Sequence, residues 1–260
     1  MRELITHPSV EEFTQGSIFE GLKVSSNHPS TSAIVITARC DIANGKARNI
    51  LCLPIYKASE WLKNQGEELI FRRLEEKLRN KLEIELKKFQ VAADVLDIYP
   101  VKNILKIVQN NKKQKCSLEI NKLLNMYAQK KCDYSLKFVS DEKKSLCTTL
   151  VKNTENSIYF IEQIDLNEVL EPYIIDLTDP ISIPYPIALK LKAGISKKNT
   201  DRLSDLYLDI NEREISYISV LNSPYIEHLL QKFSSFYSRI GTENIEKEAT
   251  DILKGKLNEI

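Results

Sequence analysis

The stretch EELIFRRLEEKLRNKLEIELKK, residues 67–88, sets the architecture of this 260-residue chain. Thirteen of its 22 residues are charged, and several acidic and basic residues stand four positions apart, a spacing at which ion pairs support a helix. Its apolar residues recur at every fourth position, at Ile70, Leu74, Leu78, Leu82 and Leu86. This spacing predicts a long helix with one apolar stripe and a charged outer face.

Segments with strand character lie on both sides of this helix. Three of them precede it, at residues 17–24, 33–38 and 49–56. Four follow it, at residues 134–139, 157–163, 173–177 and 215–221. The middle segment of the first group is apolar on both faces and predicts a central strand, whereas Pro54 predicts that the third strand is an edge strand or ends there. We therefore predict an α+β fold, with a mixed sheet or partly open small β-barrel, a long helical insertion and a C-terminal helix.

Apolar spacing predicts further helices at residues 9–15, 94–109, 117–129 and 187–193. Ser223 and Pro224 form a helix start, and an apolar face continues from there to Gly241, a residue type that commonly ends helices. The chain is therefore expected to have three parts. These are a discontinuous α+β core domain (1–56 and 132–242), a helical arm (57–131) and a helical tail (243–260).

Composition excludes several classes of protein. The chain has only seven glycines, and its nearest approach to a phosphate-binding loop, residues 16–23, has Leu22 where that loop needs lysine. Its five cysteines form no CxxC pair, so neither a disulfide framework nor a zinc ribbon is expected. No stretch approaches the ~20 apolar residues of a membrane span, and the N-terminus lacks the pattern of a secretory signal. These features predict a cytoplasmic protein with no cofactor, no metal and no membrane contact.

The net charge of +1 conceals two adjacent blocks of opposite sign. Residues 100–152 hold twelve basic and four acidic residues, whereas residues 153–182 hold seven acidic residues and no basic one. Such blocks either face each other or remain solvated. The sharper interpretation is that the basic segment 102–152 binds nucleic acid or an acidic partner. Five lysines are its candidate contacts: Lys112, Lys113, Lys115, Lys130 and Lys131.

The dipeptide Cys40-Asp41 is the main local candidate for chemistry. It follows the apolar strand 33–38, and the loops at strand ends commonly carry functional sites. In one interpretation Asp41 caps the turn by accepting bonds from nearby main-chain N–H groups. In the other, Cys40 and Asp41 are catalytic, with Cys40 as the nucleophile and with His28 or Arg239 as further catalytic residues.

A metal site at this place is the weaker alternative. It would combine His28, Cys40 and Asp41 with a ligand that the spacing does not provide, so no metal is expected. The second Cys-Asp dipeptide, Cys132-Asp133, lies beyond the helical arm. The two dipeptides either meet in space or recur by chance.

Two stretches resemble a family of mostly uncharacterised bacterial proteins. Residues 33–42 read Ala-Ile-Val-Ile-Thr-Ala-Arg-Cys-Asp-Ile and are similar to the family's strand followed by Cys-Asp-Ile or Cys-Asp-Leu. Residues 221–241 resemble the final helix of the same proteins, with a Ser-Pro-Tyr start and an Arg-Ile-Gly end. Members of this family are often found beside genes for phage defence or mobile elements.

The resemblance covers about 30 of the 260 residues. It implies that residues 17–56 and 134–241 form one domain with an inserted helical block, and it implies no particular reaction. Many relatives carry Ser or Thr followed by Gln or Asp before the cysteine, where this chain has Ala38 and Arg39. At the level of fold alone, residues 16–19 also resemble the opening strand of small toxin-ribonuclease barrels.

The leading functional prediction is a non-enzymatic binding component of a bacterial assembly of the anti-phage defence type, which docks a protein partner through the helical arm. The first alternative is a nuclease or thiol-dependent hydrolase that uses Cys40 and Asp41. The second alternative is a nucleic-acid-binding protein that uses the basic segment 102–152.

Overall fold

The computed structural model of the chain describes residues 3–9, 12–24, 30–110, 118–167, 171–210, 214–238, 251–252 and 254–256. It confirms the predicted α+β fold, and the sheet is a curled, antiparallel half-barrel with several helices packed around it. Most of the predicted helical tail lies outside the described residues.

The described strands form one eight-stranded sheet in the order β1-β8-β2-β3-β4-β6-β5, with β7 also paired to β4. Every strand pairing in it is antiparallel. The strands are β1 Ile5–Thr6, β2 Ser17–Leu22, β3 Thr31–Val35, β4 Asn49–Lys57, β5 Ile158–Ile161, β6 Tyr173–Asp176, β7 Ile181–Pro184 and β8 Tyr217–Leu221.

Strand β4 lies in the centre of the sheet, so the edge position predicted from Pro54 is wrong. β4 pairs with β3 on one side, and with β7 and then β6 on the other. Because Ile36 N–H donates to Leu51 O, the pair Ala33–Pro54 falls at a non-hydrogen-bonded position of the β3–β4 ladder. The proline nitrogen therefore faces the other side, in the gap between the β7 and β6 pairings, and its missing N–H costs no ladder bond.

Ten α-helices are described, and a π-helical turn, Leu62–Gly66, joins the second to the third. They are α1 Arg39–Ala43, α2 Ala58–Trp61, α3 Glu67–Lys88, α4 Val95–Ile98, α5 Val101–Gln109, α6 Leu118–Gln129, α7 Lys137–Val151, α8 Tyr185–Leu191, α9 Arg202–Tyr207 and α10 Tyr225–Tyr237. α3 is the helix predicted from residues 67–88, α6 and α10 match their predicted segments, and α8 begins two residues before its predicted one.

The predicted strand at residues 134–139 is wrong, because α7 begins within it. Val139, Leu146 and Leu150 are buried at spacings of seven and four residues, which places them on one helical face. A few alternating apolar residues fit a strand or a helix equally well, and the longer pattern decides between them.

Three other expectations also differ from the structure. The helix predicted at residues 94–109 is two helices, since Tyr99 is extended and Pro100 begins a new helix. Residues 9–15 form no helix where they are described, and Ser9 and Glu12 are joined by a β-bridge. The proline-marked turn after residue 180 contains strand β7, which pairs with β4.

The helices from α2 to α7 form a layer with its own core. The apolar stripe of α3 is buried against α6 and α7, and the same cluster includes Ile158 of β5 and Ile174 of β6. The helical layer and the sheet therefore share apolar packing at the β5–β6 edge. α3 lies within this layer, with its apolar stripe buried and Ile84 on its exposed face.

The two faces of the sheet have separate cores. Phe19 and Ala33 pack on one face with residues of α8, whereas Ile18 and Ile34 pack on the other face with residues of α10. Adjacent residues of a strand point to opposite faces, so each strand contributes to both cores. A sheet covered on both faces explains why residues 33–36 are apolar without alternation and are all buried.

The buried stripe of α3 gives a test of the packing. We expect Leu78→Ala to lower the free energy of unfolding by about 2–5 kcal/mol, because Leu78 is fully buried and the substitution leaves a cavity. Ile84 of the same helix is 59% exposed, so Ile84→Ala should change it by no more than about 0.5 kcal/mol. Urea unfolding curves measure both values, and equal effects of the two substitutions would contradict this placement of the stripe.

Candidate functional site

The dipeptide Cys40-Asp41 lies in the short helix α1, and Cys40 is exposed. Within the described residues, the only hydrogen bond of the Cys40 thiol is a long one to Asp41 Oδ1, at 3.8 Å. The turn after α1 is closed by main-chain oxygens, since Asp41 O accepts from the N–H groups of Lys46 and Ala47. The Asp41 carboxylate therefore does not cap the turn in the way the sequence suggested.

The residues proposed to assist Cys40 are not brought to it by any described contact. His28 and Arg239 lie outside the described residues. Cys132 belongs to the helical layer, where its N–H donates to Glu67 Oε1 at 3.0 Å. Burial and then the charge of Glu67 raise the pKa of the Cys132 thiol to about 11, which disfavours its thiolate. The catalytic roles of Cys40 and Asp41 stay a prediction.

The candidate lysines of the basic segment are only partly described. Lys112, Lys113 and Lys115 lie outside the described residues, whereas Lys130 and Lys131 are exposed just after α6. The described ion pairs do not join the basic and acidic blocks to each other. Instead, the acidic block pairs with residues earlier in the chain, Glu155 with Arg73 and Glu171 with Lys57.

A cleft lies at the junction of the helical layer and the sheet, and we call it the junction cleft. Its volume is about 450 Å³, within the usual range for ligand pockets. One wall is a helix face formed by Trp61, Gln65, Glu68 and Arg72. The others come from residues 155–158 before and in β5, from Asp176 and Thr178 at the end of β6, and from Phe236 of α10.

The π-helical turn Leu62–Gly66 shapes the helix wall of this cleft. Trp61 immediately precedes the turn, and Gln65 lies within it. Gly66 is buried there, and a Cβ at this position would approach Leu62 Cδ2 to 3.1 Å. Such turns are frequent at functional sites, because the extra residue re-aims the side chains around it. Trp61 and Gln65 also line a second, smaller cavity of about 50 Å³ beside Tyr56.

A network around Arg73 fixes the β5 side of the cleft. Its guanidinium pairs with Glu142 of α7 at 3.2 Å and with Glu155, and it donates to Thr149 Oγ1 at 3.2 Å. All four side chains are at least partly buried. Charge-assisted bonds of this kind hold Glu155 in a defined orientation.

Asp176 provides the negative charge at the end of β6. It is 7% exposed, and its Oδ1 accepts hydrogen bonds from Thr178 N–H at 2.8 Å and Thr178 Oγ1 at 2.6 Å. Its negative charge also affects the pKa values of two neighbouring tyrosines. The pKa of Tyr56 is raised to about 12, first by burial and then by the charges of Asp176 and Asp179. Burial and the same two charges also raise the pKa of Tyr237.

Lys232 of α10 forms a separate polar group near the cleft. Its Nζ donates to the main-chain oxygens of Asn153 and Ile158, both at 2.7 Å, and lies 5.8 Å from the centre of the Tyr159 ring. Tyr159 Oη in turn shares a hydrogen bond with His228 Nδ1 at 3.2 Å. Burial lowers the pKa of Lys232 to about 8, against a smaller opposing effect of Glu155. Ile158 also lines the junction cleft, whereas Lys232, Tyr159 and His228 do not.

Sequence reasoning did not find the junction cleft. Its residues come from four distant stretches of the chain, so no local motif marks them. Two signals were available. Trp61 is the only tryptophan, and Gly66 interrupts a strong helical pattern a few residues later.

Comparison with known proteins adds no assignment. No family model matches this chain, and neither a curated protein nor a solved structure matches it. Within the part of the chain that the structure describes, no group of three or more His, Cys, Asp and Glu side chains is placed to hold a metal ion. None of the described helices has the length and apolar character needed to cross a membrane.

The lowered pKa of Lys232 gives a prediction about pH. In the folded chain the pKa of Lys232 is about 8, whereas the ordinary pKa of lysine is 10.5, so between these pH values the unfolded chain binds more protons. Raising the pH through this window therefore increases the contribution of Lys232 to stability. We expect the stability of the wild type relative to Lys232→Met to rise between about pH 8 and pH 9.5.

Urea unfolding at each pH measures the free energy of unfolding of both proteins. Taking the difference cancels the contribution of tyrosine titration, which both proteins share. A titration of the Lys232 Nζ resonance by NMR gives the pKa directly, and Lys232→Arg assigns the signal. A pKa above about 10, the ordinary value for lysine, would contradict the burial of this ammonium group.

Proposed function

We propose that this protein is a non-enzymatic binding component of a bacterial assembly of the anti-phage defence type, and that it docks a protein partner through its helical layer. The observation that supports this is an exposed apolar corner between α4 and α5. Ile98 is 66% exposed and Tyr99 is 52% exposed, and Pro100 follows them. The place of the protein in defence is supported by the family resemblance of residues 33–42 and 221–241.

The corner is held firmly although its side chains are exposed. Asp97 accepts two bonds from the guanidinium of Arg79 on α3, at 2.8 and 2.6 Å. These bonds lower the pKa of Asp97. Tyr99 N–H donates to Val95 O at 3.0 Å. Rigid, exposed aromatic residues lose little conformational entropy on binding and are common energetic centres of interfaces.

Substitutions at the corner test the proposed docking. We expect Ile98→Asp and Tyr99→Ser each to abolish capture of a specific partner protein from the native host, because they remove the apolar contact area. Affinity capture with quantitative mass spectrometry measures this loss. The free energy of unfolding of each variant should differ from that of the wild type by no more than about 0.5 kcal/mol, since both side chains are exposed.

Leu206→Asp is the matched control, because Leu206 is 72% exposed on α9, away from the helical layer. It should leave the captured partner unchanged. Deletion of residues 59–131 is a less suitable test, since it would uncover Ile158 and Ile174 of the sheet. The proposal fails if the corner variants capture the same proteins as the wild type.

Nucleic-acid binding is the second candidate, and lysines beside aromatic rings favour it. Lys143 Nζ lies 5.0 Å from the centre of the exposed Tyr134 ring. Lys130 and Lys131 are exposed and close to Tyr134 in sequence, and neither forms an ion pair with a described residue. Aromatic rings next to lysines suit the stacking of bases beside a phosphate backbone.

A charge reversal at these lysines tests this candidate. Lys130→Glu combined with Lys131→Glu should weaken binding of a labelled single-stranded oligonucleotide in fluorescence anisotropy. It should also reduce the slope of log K against log salt by about 1.4, because about 0.7 is expected for each lost contact on a single strand. Lys197→Glu combined with Lys198→Glu, on the exposed loop after α8, serves as the control. Binding that does not respond to salt excludes this candidate.

A further inference from the structure

We propose that the junction cleft binds a basic side chain of an extended peptide segment, with Asp176 as the anionic contact and Trp61 as a donor to the peptide backbone. This site is separate from the α4–α5 corner and is altered by different substitutions. Either proposal can therefore fail while the other stands.

The charges that line the cleft do not balance. Its charged lining residues are Glu68, Arg72, Glu155 and Asp176. Glu68 Oε1 lies 3.9 Å from Arg72 Nε, and the Glu155 carboxylate is paired with the Arg73 guanidinium. Asp176 has no ion pair within the described residues, so the cleft has an unbalanced negative charge beside the end of β6.

The hydrogen bonds of the Asp176 carboxylate leave one of its oxygens available. Its Oδ1 accepts from Thr178, while its Oδ2 accepts no hydrogen bond from a described residue. Oδ2 is not one of the buried side-chain atoms that lack a partner, so it is open to the cleft. A bound ammonium or guanidinium group can therefore reach it and form a charge-assisted hydrogen bond.

Trp61 supplies an independent observation. It lines the cleft and is 4% exposed, yet its Nε1 has no hydrogen-bond acceptor among the described residues. Buried indole N–H groups usually have an acceptor. A peptide carbonyl provides one, whereas a free polyamine does not. This favours a basic residue within a peptide as the occupant.

The walls and rim of the cleft suit this occupant. Trp61 and Phe236 are the aromatic residues of the lining, and aromatic faces attract cations. Glu68 and Arg72 have mostly exposed side chains and form the solvent side of the helix wall. A peptide can therefore lie across the rim and place one side chain towards Asp176.

Fluorescence provides a direct readout, because Trp61 is the only tryptophan of the chain. The full chain is titrated with an acetylated and amidated tetrapeptide, Gly-Lys-Arg-Gly, while the emission of Trp61 is followed. Isothermal calorimetry on the same pair gives the affinity. We expect a saturable change in emission with the basic peptide, and none with Gly-Gln-Gln-Gly or with spermidine at the same concentration.

Three substitutions locate the site. Asp176→Asn removes the charge and retains an oxygen that can accept from Thr178. It should lower the affinity for the basic peptide at least about tenfold. Glu68→Gln, on the exposed rim, should lower the affinity for the same peptide about twofold. Asp179→Asn is the matched control, because Asp179 is exposed and does not line the cleft. It should leave the affinity unchanged, and circular dichroism establishes that each variant is folded.

The proposal is overturned by several results. One is the absence of both an emission change and heat with the basic peptide. Another is equal affinity for the neutral peptide, and a third is equal affinity for spermidine, which would assign the cleft to free polyamines. If Asp176→Asn does not fold, Glu68→Gln decides the matter, and an unchanged affinity for that variant contradicts the proposal.

Discussion

Burial of the apolar stripe on α3 is the interaction on which the rest of this structure depends. The stripe packs on α6 and α7 and reaches the sheet through Ile158 and Ile174. With the stripe fixed, the two flanks of α3 have defined neighbours. Arg79 on one flank bonds Asp97 and so holds the α4–α5 corner, while Arg73 on the other holds Glu142 and Glu155. Both candidate surfaces are therefore positioned by one helix.

Long periodic patterns were predictable from the sequence, and positions set by distant partners were not. The stripe of α3 spans five turns, so the sequence alone identified it, and β2, β3 and α10 were found in the same way. α7 was missed because only a few residues at its start were weighed, and those also fit a strand. Pro54 was misread because its effect depends on which side of β4 its nitrogen faces, and that is set by β7 and β6.

The candidate sites also differ in whether a local sequence pattern or distant residues define them. Cys40-Asp41 is conspicuous in sequence because it is local, yet the described structure gives the thiol no basic partner. The junction cleft is invisible in sequence because its walls are separated by up to 175 positions, from Trp61 to Phe236. Only folding brings a π-helical turn, the end of β6 and the last turn of α10 to one place.

The acidic block of the sequence places negative charge in this cleft. The acidic block 153–182 contributes Glu155 and Asp176 to its lining, and no ion pair between described residues joins them to the basic block 100–152. Arg73 is already divided between two carboxylates, and Lys232 is committed to two main-chain oxygens. Arg72, which also lines the cleft, has its ion pair with Glu68, so Asp176 has no cationic partner among the described residues. Asp176 and Trp61 both line the cleft, and within the described residues the first lacks a cationic partner and the second lacks an acceptor for its N–H. A ligand that carries both a cation and a carbonyl oxygen matches these two groups.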